Sequence, residues 1–376
     1  MKAVALVAAG LLLFGCGSSS SDTSSTPIVP PATSTSVPTS TIADVPIATT
    51  STTPARKEFA PDAFAATDAL LDERVRSAGL SRGMVRIVGA DGAVIHEHTT
   101  GGMSGNTAIA VASSTKWLTA ATLMTFVDQG AIGIDDDIAG WLPEFDGSDP
   151  PITARQLLSH TSGVHDNPCQ NEGNALATCV TTLASSSREF AAGTRFSYGN
   201  APFLVVGRLI EVLGNTDFAS VVQQRLTGPL GMEGTTWPGA PAGANPAFGV
   251  SITVDDYGKF LDMVLHEGVA NGARVLSSDA VALLISDQVS GYDTTHDFSV
   301  GITGIPRYGL GCWPDELDQS MKTAVVSGNG GRGFYPWVDF ATHTWGIVGV
   351  QDDRGAQVAV PASQVVAVEA RAAVAR

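Results

Sequence analysis

The stretch Ala112-Ser113-Ser114-Thr115-Lys116-Trp117-Leu118-Thr119-Ala120 decides how the rest of the chain is read. A serine hydroxyl is a weak nucleophile until a neighbouring group takes its proton. The run Thr115 to Gln129 reads as a helix stopped by Gly130. If that helix starts at Ser113, Lys116 lies one turn on, on the same face, with its amine in reach of the hydroxyl. The helix N-terminus also adds positive potential where an oxyanion would develop. Taken alone, the pattern reads equally as a capped helix with a solvated lysine, because Ser-x-x-Lys arises often by chance.

About eighty residues on stands Gly193-Thr194-Arg195-Phe196-Ser197-Tyr198-Gly199-Asn200. A Tyr-x-Asn turn can place a phenol and an amide in one cleft. A phenol beside a lysine ammonium has its phenolate stabilised and can act as a general base. Asn200 could hold Lys116 and a substrate carbonyl. By itself this second stretch is better explained as a buried tyrosine followed by a turn asparagine.

The two elements in this order, with their context, change that balance. The chain resembles the serine β-lactamase and penicillin-binding protein superfamily, particularly class C β-lactamases, D-alanyl peptidases and related esterases. Besides Ala112 to Ala120, the resemblance rests on Leu157-Leu158-Ser159-His160-Thr161-Ser162-Gly163 and on Phe196 to Glu211. Leu226 to Met232, Val254 to Phe260 and Gly333 to Asp339 add to it, so that it covers roughly Pro61 to Gln351. It implies a two-lobed fold and acyl transfer through a serine ester. By resemblance, Ser113 is the nucleophile, Lys116 and Tyr198 share the base role, and Asn200, Gly330 and Gly331 contact substrate. The N–H of Gly331 would complete an oxyanion hole with that of Ser113.

One family element departs. The superfamily usually carries Lys-Thr-Gly or His-x-Gly on the strand lining the cleft. Counting back from Gly333-Phe334 gives Gly328-Asn329-Gly330, with no cation in first place unless a one-residue slip brings Ser327 there. A substrate carboxylate then loses its expected partner, which ranks esters before β-lactams and β-lactams before D-alanyl peptides. A Lys or His at position 328 is expected to restore part of that recognition. The degenerate triplet also leaves a rival from another class: a catalytically poor binding or cell-wall-sensing lipoprotein of the same fold.

Outward from these motifs, Pro61 to Ala78 has helical apolar spacing and Met84 to His98 reads as a hairpin turned at Ala90-Asp91-Gly92. Phe203 to Leu213 and Val254 to His266 read as helices. Ala324 to Ser327, Gly333 to Phe340 and Trp345 to Gln351 read as meander strands, and Pro361 to Ala375 as a closing helix. The fold class is therefore α/β of the α+β type. A mainly antiparallel sheet is covered by terminal helices and carries an inserted, mostly helical lobe, with the site expected at the cleft between lobes.

The N-terminus reads differently. Residues 1–15 resemble a signal peptide, with Lys2 before the apolar run Ala3 to Phe14. Leu13-Phe14-Gly15-Cys16 resembles a bacterial lipobox, so Cys16 is the expected lipidation site. Residues 16–58 are mostly a Ser, Thr and Pro-rich tether too polar to offset its ordering entropy, and 59–376 form the hydrolase-like domain. These features place the protein at the cell envelope, periplasmic or outer-surface, held to a membrane through lipid and acting on a small-molecule or cell-wall-derived substrate. In such a compartment disulfides form, and Cys169 and Cys179 are the natural pair, leaving Cys312 as a buried thiol.

A formal charge of −16, with 21 basic against 37 acidic residues and no dense basic run, argues against nucleic acid as a partner. No cofactor or metal is expected, since no Cys-x-x-Cys or His-Glu-x-x-His spacing occurs. His160 reads as a turn residue, His165 has no ligand partners at metal spacing, and Asp135-Asp136-Asp137 reads as a solvated turn. Gly328 to Gly333 fits Gly-x-Gly-x-x-Gly but precedes strand-like residues instead of a helix.

Overall fold

The computed structural model describes residues 57–376 apart from 168 and 170–174. The apolar run, Cys16 and all of the tether up to residue 56 lie outside the described residues. In chain order the elements begin with α1 (Ala65–Ser77), β1 (Gly83–Gly89), β2 (Val94–Thr100), β3 (Ala108–Ala110) and α2 (Thr115–Asp128). The middle contains α3 (Ala154–Leu158), α4 (Leu176–Ser185), α5 (Ala201–Gly214), α6 (Phe218–Val222), β4 (Ser251–Thr253) and α7 (Val254–Leu265). Then come β5 (Val269–Ala270), β6 (Ala273–Arg274), α8 (Ser278–Ile285), α9 (Phe298–Thr303) and β7 (Trp313–Leu317). The chain closes with β8 (Thr323–Ser327), β9 (Tyr335–Asp339), β10 (Thr344–Gly349) and α10 (Ala356–Ala375).

Six strands form one antiparallel sheet in the order β2-β1-β10-β9-β8-β7. Its first and last parts meet at the centre, because β1 pairs with β10 from Met84↔Gly349 to Gly89↔Thr344. Strand residues point alternately to the two faces, so this register splits the core in two. Val85, Ile87, Trp337 and Val348 pack under α1 and α10 with Leu71, Val75, Val366 and Ala370. Met84, Val88, Val338 and Ile347 pack on the other face, in the large cluster that includes Leu118, Phe203, Phe260 and Leu284 of the helical lobe. Each such fully buried side chain contributes about 1.5–3 kcal/mol. A mainly antiparallel sheet covered by terminal helices, with a helical lobe between, is the expected fold.

Helix α2 runs through the middle of the large cluster. Every residue from Thr115 to Phe126 is buried, so the helix has no solvated stripe. It stops at Gln129, followed by Gly130 at φ +71°, as its glycine foretold.

Among the differences from the sequence reading, two turn on proline. Helix α10 starts at Ala356, so Pro361 lies inside it and not at its first position. At the sixth position it is past the four N–H groups that lack a partner, so the helix gives up the bond that residue 361 would make to the Gln357 carbonyl. Strand β7 went unread, because Trp313-Pro314-Asp315-Glu316-Leu317 lacks alternation and contains proline. It is an edge strand, the position in a sheet that accepts proline.

Candidate active site

Ser113 lies in a short 3₁₀ turn, Ala112–Ser114, that leads directly into α2. Ala112 takes φ +48°, an uncommon backbone for alanine, and Thr115 Oγ1 donates to its carbonyl at 2.6 Å. One turn on, the Lys116 amine is 3.2 Å from Ser113 Oγ, 2.7 Å from Asn200 Oδ1 and 3.1 Å from the Ala247 carbonyl oxygen. Lys116 is 0% exposed, and none of these three partners carries a charge. Burial is the main cause that lowers its ammonium from 10.5 to about 7, with Asp166 pulling weakly the other way.

Asn200 is free to hold that amine because the start of α5 does not need its side chain: Pro202 has no N–H and that of Phe203 donates to the Asn200 carbonyl at 3.0 Å. The Asp166 carboxylate accepts from the N–H groups of Asn200 at 2.7 Å and Ala201 at 2.8 Å. Asp166 went unremarked in the sequence; an Asp between His165 and Asn167 gives no signal of which helix it serves.

Tyr198 is fixed from its backbone and its ring. Its N–H donates to Asp297 Oδ2 at 2.9 Å, and its ring stacks on Trp313 with centroids 5.7 Å apart. The Lys116 ammonium sits 4.9 Å from the ring centroid. Burial pushes the phenol above its ordinary value, and a hydrogen bond with Ser113 only partly opposes this. The expectation of a lysine-stabilised phenolate therefore needs correction: desolvation acts on both groups, favouring a neutral phenol and a neutral amine.

His160, at φ +59°, is a buried turn residue. Its Nδ1 accepts from the Gly199 N–H at 3.4 Å and its Nε2 lies 3.2 Å from the Tyr308 hydroxyl. Burial, then the nearby Lys116, hold the ring well below 6.5 and keep it neutral. Of the acidic run, Asp135 pairs with Arg155 at 2.6 Å, Asp136 accepts from the Gly133 N–H, and Asp137 caps a turn. Among the described residues no group of three or more His, Cys, Asp or Glu is placed to hold a metal ion.

The third element is a hairpin. The Gly328 N–H donates to the Pro336 carbonyl at 3.0 Å and that of Gly330 to Phe334 at 2.9 Å, so Gly328 to Gly333 turns into β9 and opens no helix. A Cβ on Gly330 would lie 2.1 Å from the Val111 carbonyl oxygen, so the strand passes against the nucleophile turn only as glycine. Gly331 follows at once. A Cβ on Gly328 would lie 2.7 Å from Trp117 Cε3, and Trp117 is wholly buried. A cation at 328 would have to displace that indole, which removes the expectation that Lys or His there restores carboxylate recognition. Asn329 is 6% exposed, with no hydrogen-bond partner for either side-chain polar atom.

Serine, lysine, tyrosine and asparagine thus converge from α2 and the start of α5, beside a glycine-rich strand. The Beta-lactamase family model matches residues 67–370, which span all four. The chain belongs to the beta-lactamase family. Penicillin-binding protein 4 of Amycolatopsis lactamdurans is 30% identical over 54% of this chain and 65% of its own length. Esterase EstB of Burkholderia gladioli is also 30% identical, over 45% of this chain and 50% of its own. Among solved structures, a putative beta-lactamase from Bacteroides dorei superposes with a TM-score of 0.75 at 27% identity, covering 83% of this chain and 99% of that one. This beta-lactamase-family chain is thus a serine hydrolase-like protein with esterase and penicillin-binding relatives. Its helical lobe also carries a disulfide: Cys169 and Cys179 are joined, with Cα atoms 5.6 Å apart, while Cys312 is free and buried.

Proposed function

We propose that the protein is an exported, lipid-anchored serine hydrolase that acts through an acyl-enzyme, on carboxylic esters before β-lactams and on D-alanyl peptides last. The observation that carries this reading is the buried Lys116 amine, 3.2 Å from Ser113 Oγ and held near a pKa of 7. An amine poised near neutrality is a competent general base at physiological pH.

In the first step Ser113 Oγ attacks the ester carbonyl and its proton passes to the neutral Lys116 amine, directly or across the Tyr198 hydroxyl. The carbonyl electron pair moves to oxygen, facing the N–H groups of Ser113 and Gly331. Collapse expels the alcohol, which takes the proton from the Lys116 ammonium. Water then attacks the acyl-enzyme, gives its proton to the same amine, and the acid leaves as Ser113 regains its proton. Asn200 orients the amine throughout.

Two features support the ranking of substrates. No cation stands at 328, and Phe298, 60% exposed and edge-on to Tyr198, offers apolar surface beside that phenol. A charge-assisted carboxylate contact is worth about 1.5–3 kcal/mol, so its absence weighs against acidic substrates. The test is stoichiometric fluorophosphonate labelling, lost in Ser113→Ala, with kcat/KM for p-nitrophenyl acetate above that for a chromogenic cephalosporin. Efficient cephalosporin turnover overturns the ranking; undiminished activity of Ser113→Ala overturns the mechanism. For the anchor, mass spectrometry of membrane-extracted protein should find diacylglyceryl-cysteine at Cys16 as the first residue, and an unmodified start elsewhere refutes it.

A further inference from the structure

We infer that Ser114 is a positioning residue that fixes the spacing between the two halves of the oxyanion hole, an inference that rests on Ser113 being the nucleophile. Strand β8 has a β7 neighbour only as far as the pair Trp313↔Ser327. Beyond it, Gly328 to Gly331 is held to β9 along one edge, while its other side meets the turn that carries Ser113. The direct bond across that meeting is made by Ser114, whose wholly buried hydroxyl donates to the Gly328 carbonyl. Beside it the Tyr257 hydroxyl, 3.2 Å from the Cβ position of Gly328, donates to the Ser114 carbonyl at 2.9 Å.

Ser114 is thus clasped by two bonds at once, its hydroxyl to the cleft strand and its carbonyl to the tyrosine of α7 that abuts the same strand. It adjoins Ser113 in the chain, and Gly328 is three residues before Gly331. The two N–H donors proposed for the oxyanion belong to separate segments, and the Ser114 hydroxyl ties those segments together. Gly330 brings them close, its Cβ position lying 2.9 Å from Ser114 Oγ, but a glycine removes an obstacle without supplying an attraction. Sequence motifs leave the residue after the nucleophile open, so a serine here gives no signal before the strand is seen.

An oxyanion forms only in the transition state, so loosening the clasp lowers kcat and leaves substrate binding alone. The test uses the full chain with Ser114→Ala and, independently, Tyr257→Phe. Both are assayed with p-nitrophenyl acetate and with phenylboronic acid, whose serine adduct is tetrahedral and anionic. Ser114→Ala should lower kcat about tenfold to a hundredfold, less than outright loss of an oxyanion donor, and weaken boronate binding to match. KM should stay within about twofold. Tyr257→Phe should act in the same direction by about threefold to tenfold, and it alone decides the matter if Ser114→Ala does not fold. Ser114→Thr, which keeps a hydroxyl, should recover boronate affinity. Unchanged kcat and boronate affinity, or a loss confined to KM, overturns the inference. Fluorophosphonate labelling of the wild type separates the two readings: no label at Ser113 refutes the nucleophile, whereas label at equal rates in wild type and Ser114→Ala refutes the clasp alone.

Discussion

Arg74 and Lys116 are both buried cations, one on each side of the sheet, and the fold treats them in opposite ways. Arg74 projects from α1 with its side chain 3% exposed and meets Asp352, itself 0% exposed, at 2.8 Å. A second guanidinium, Arg354, lies 2.8 Å from the same carboxylate. Burial works against the Asp352 anion, but hydrogen bonds from the Arg354 side chain and backbone, then from Arg74, hold it down at about 2. Lys116 is as deeply buried, its hydrogen bonds go to a hydroxyl, an amide oxygen and a carbonyl, and besides the Tyr198 and Phe203 rings only the more distant Asp166 favours its charge. One site compensates its charge and keeps it. The other gives the charge no carboxylate in direct contact, so burial prevails over Asp166 and the proton becomes easy to remove. Burial costs both cations solvation; the partner decides if the outcome is a strut or a base.

The sharpest way to break the comparison is to remove each cation in turn. Lys116→Met should cut kcat/KM for p-nitrophenyl acetate by about 10²–10⁴-fold, the usual contribution of a general base. At pH 6 the same change should leave stability unchanged or raise it by about 1–2 kcal/mol, because a buried ion with no carboxylate in direct contact is replaced by an apolar chain. Urea denaturation at pH 6 beside steady-state kinetics gives both numbers. Clear destabilisation would show that Lys116 is held by its three oxygens much as Arg74 is by Asp352.

Arg74→Met reverses the pattern. Taking away one partner leaves the buried Asp352 carboxylate to Arg354 alone, which should cost up to about 3–5 kcal/mol of stability, the upper figure being that of a carboxylate with no partner left. Arg74 Nη2 lies 2.9 Å from the Cβ position of Gly333, two residues past Gly331, so fluorophosphonate labelling per folded molecule should slow, but far less than in Lys116→Met. Arg74→Met combined with Asp352→Leu should regain most of the loss. A double variant no more stable than the single one would mean that Arg354 or the Ala359 carbonyl, 3.2 Å from Arg74 Nη2, governs the region.

The two sites were not equally open to sequence reading. Ser113 and Lys116 are three residues apart, and helical geometry turns that spacing into a contact. Tyr198 and Asn200 stand two apart in a turn, and their order along the chain tied them to Ser113. The helix, hairpin and meander that frame them follow from periodicity. Arg74 and Asp352 lie near opposite ends of the described chain, and nothing local marks either as the other's partner. The cleft strand was misjudged for a related reason. Counting back from Gly333-Phe334 locates Gly328, but which way position 328 faces depends on a hairpin register that a glycine run does not encode. Strand β7 was hidden by Pro314, and Asp166 by the distance between it and the helix start it satisfies. Chemistry written at short range could be read; chemistry assembled from distant segments could not.

The finest test of the contrast, read as a small change at each step, is pH. Lys116 sheds its proton at about 7 in the folded protein and near 10.5 when unfolded. Between those values the unfolded chain binds more protons, so the Lys116 contribution to stability rises with pH across that window. Below pH 7 both states are protonated there and the cost of burying the charge is present in full. The advantage of Lys116→Met over wild type should therefore be constant up to pH 7, then fall and change sign before pH 10. Over one unit near the middle of the window the change is about 1.4 kcal/mol. Asp352 has the opposite sign: its folded value, about 2, is depressed, so its contribution is complete above about 4 and fades as pH falls toward 2. Arg74→Met and wild type should then differ by a constant amount from pH 5 to 9. Activity should follow Lys116, with kcat/KM rising about tenfold per unit below pH 7 and levelling above it. Urea midpoints of wild type, Lys116→Met and Arg74→Met at unit steps from pH 5 to 9, beside the wild-type rate profile, settle the signs. A Lys116→Met advantage that stays flat through pH 9 would mean that Lys116 remains charged when folded, and the proton acceptor would then have to be sought at Tyr198.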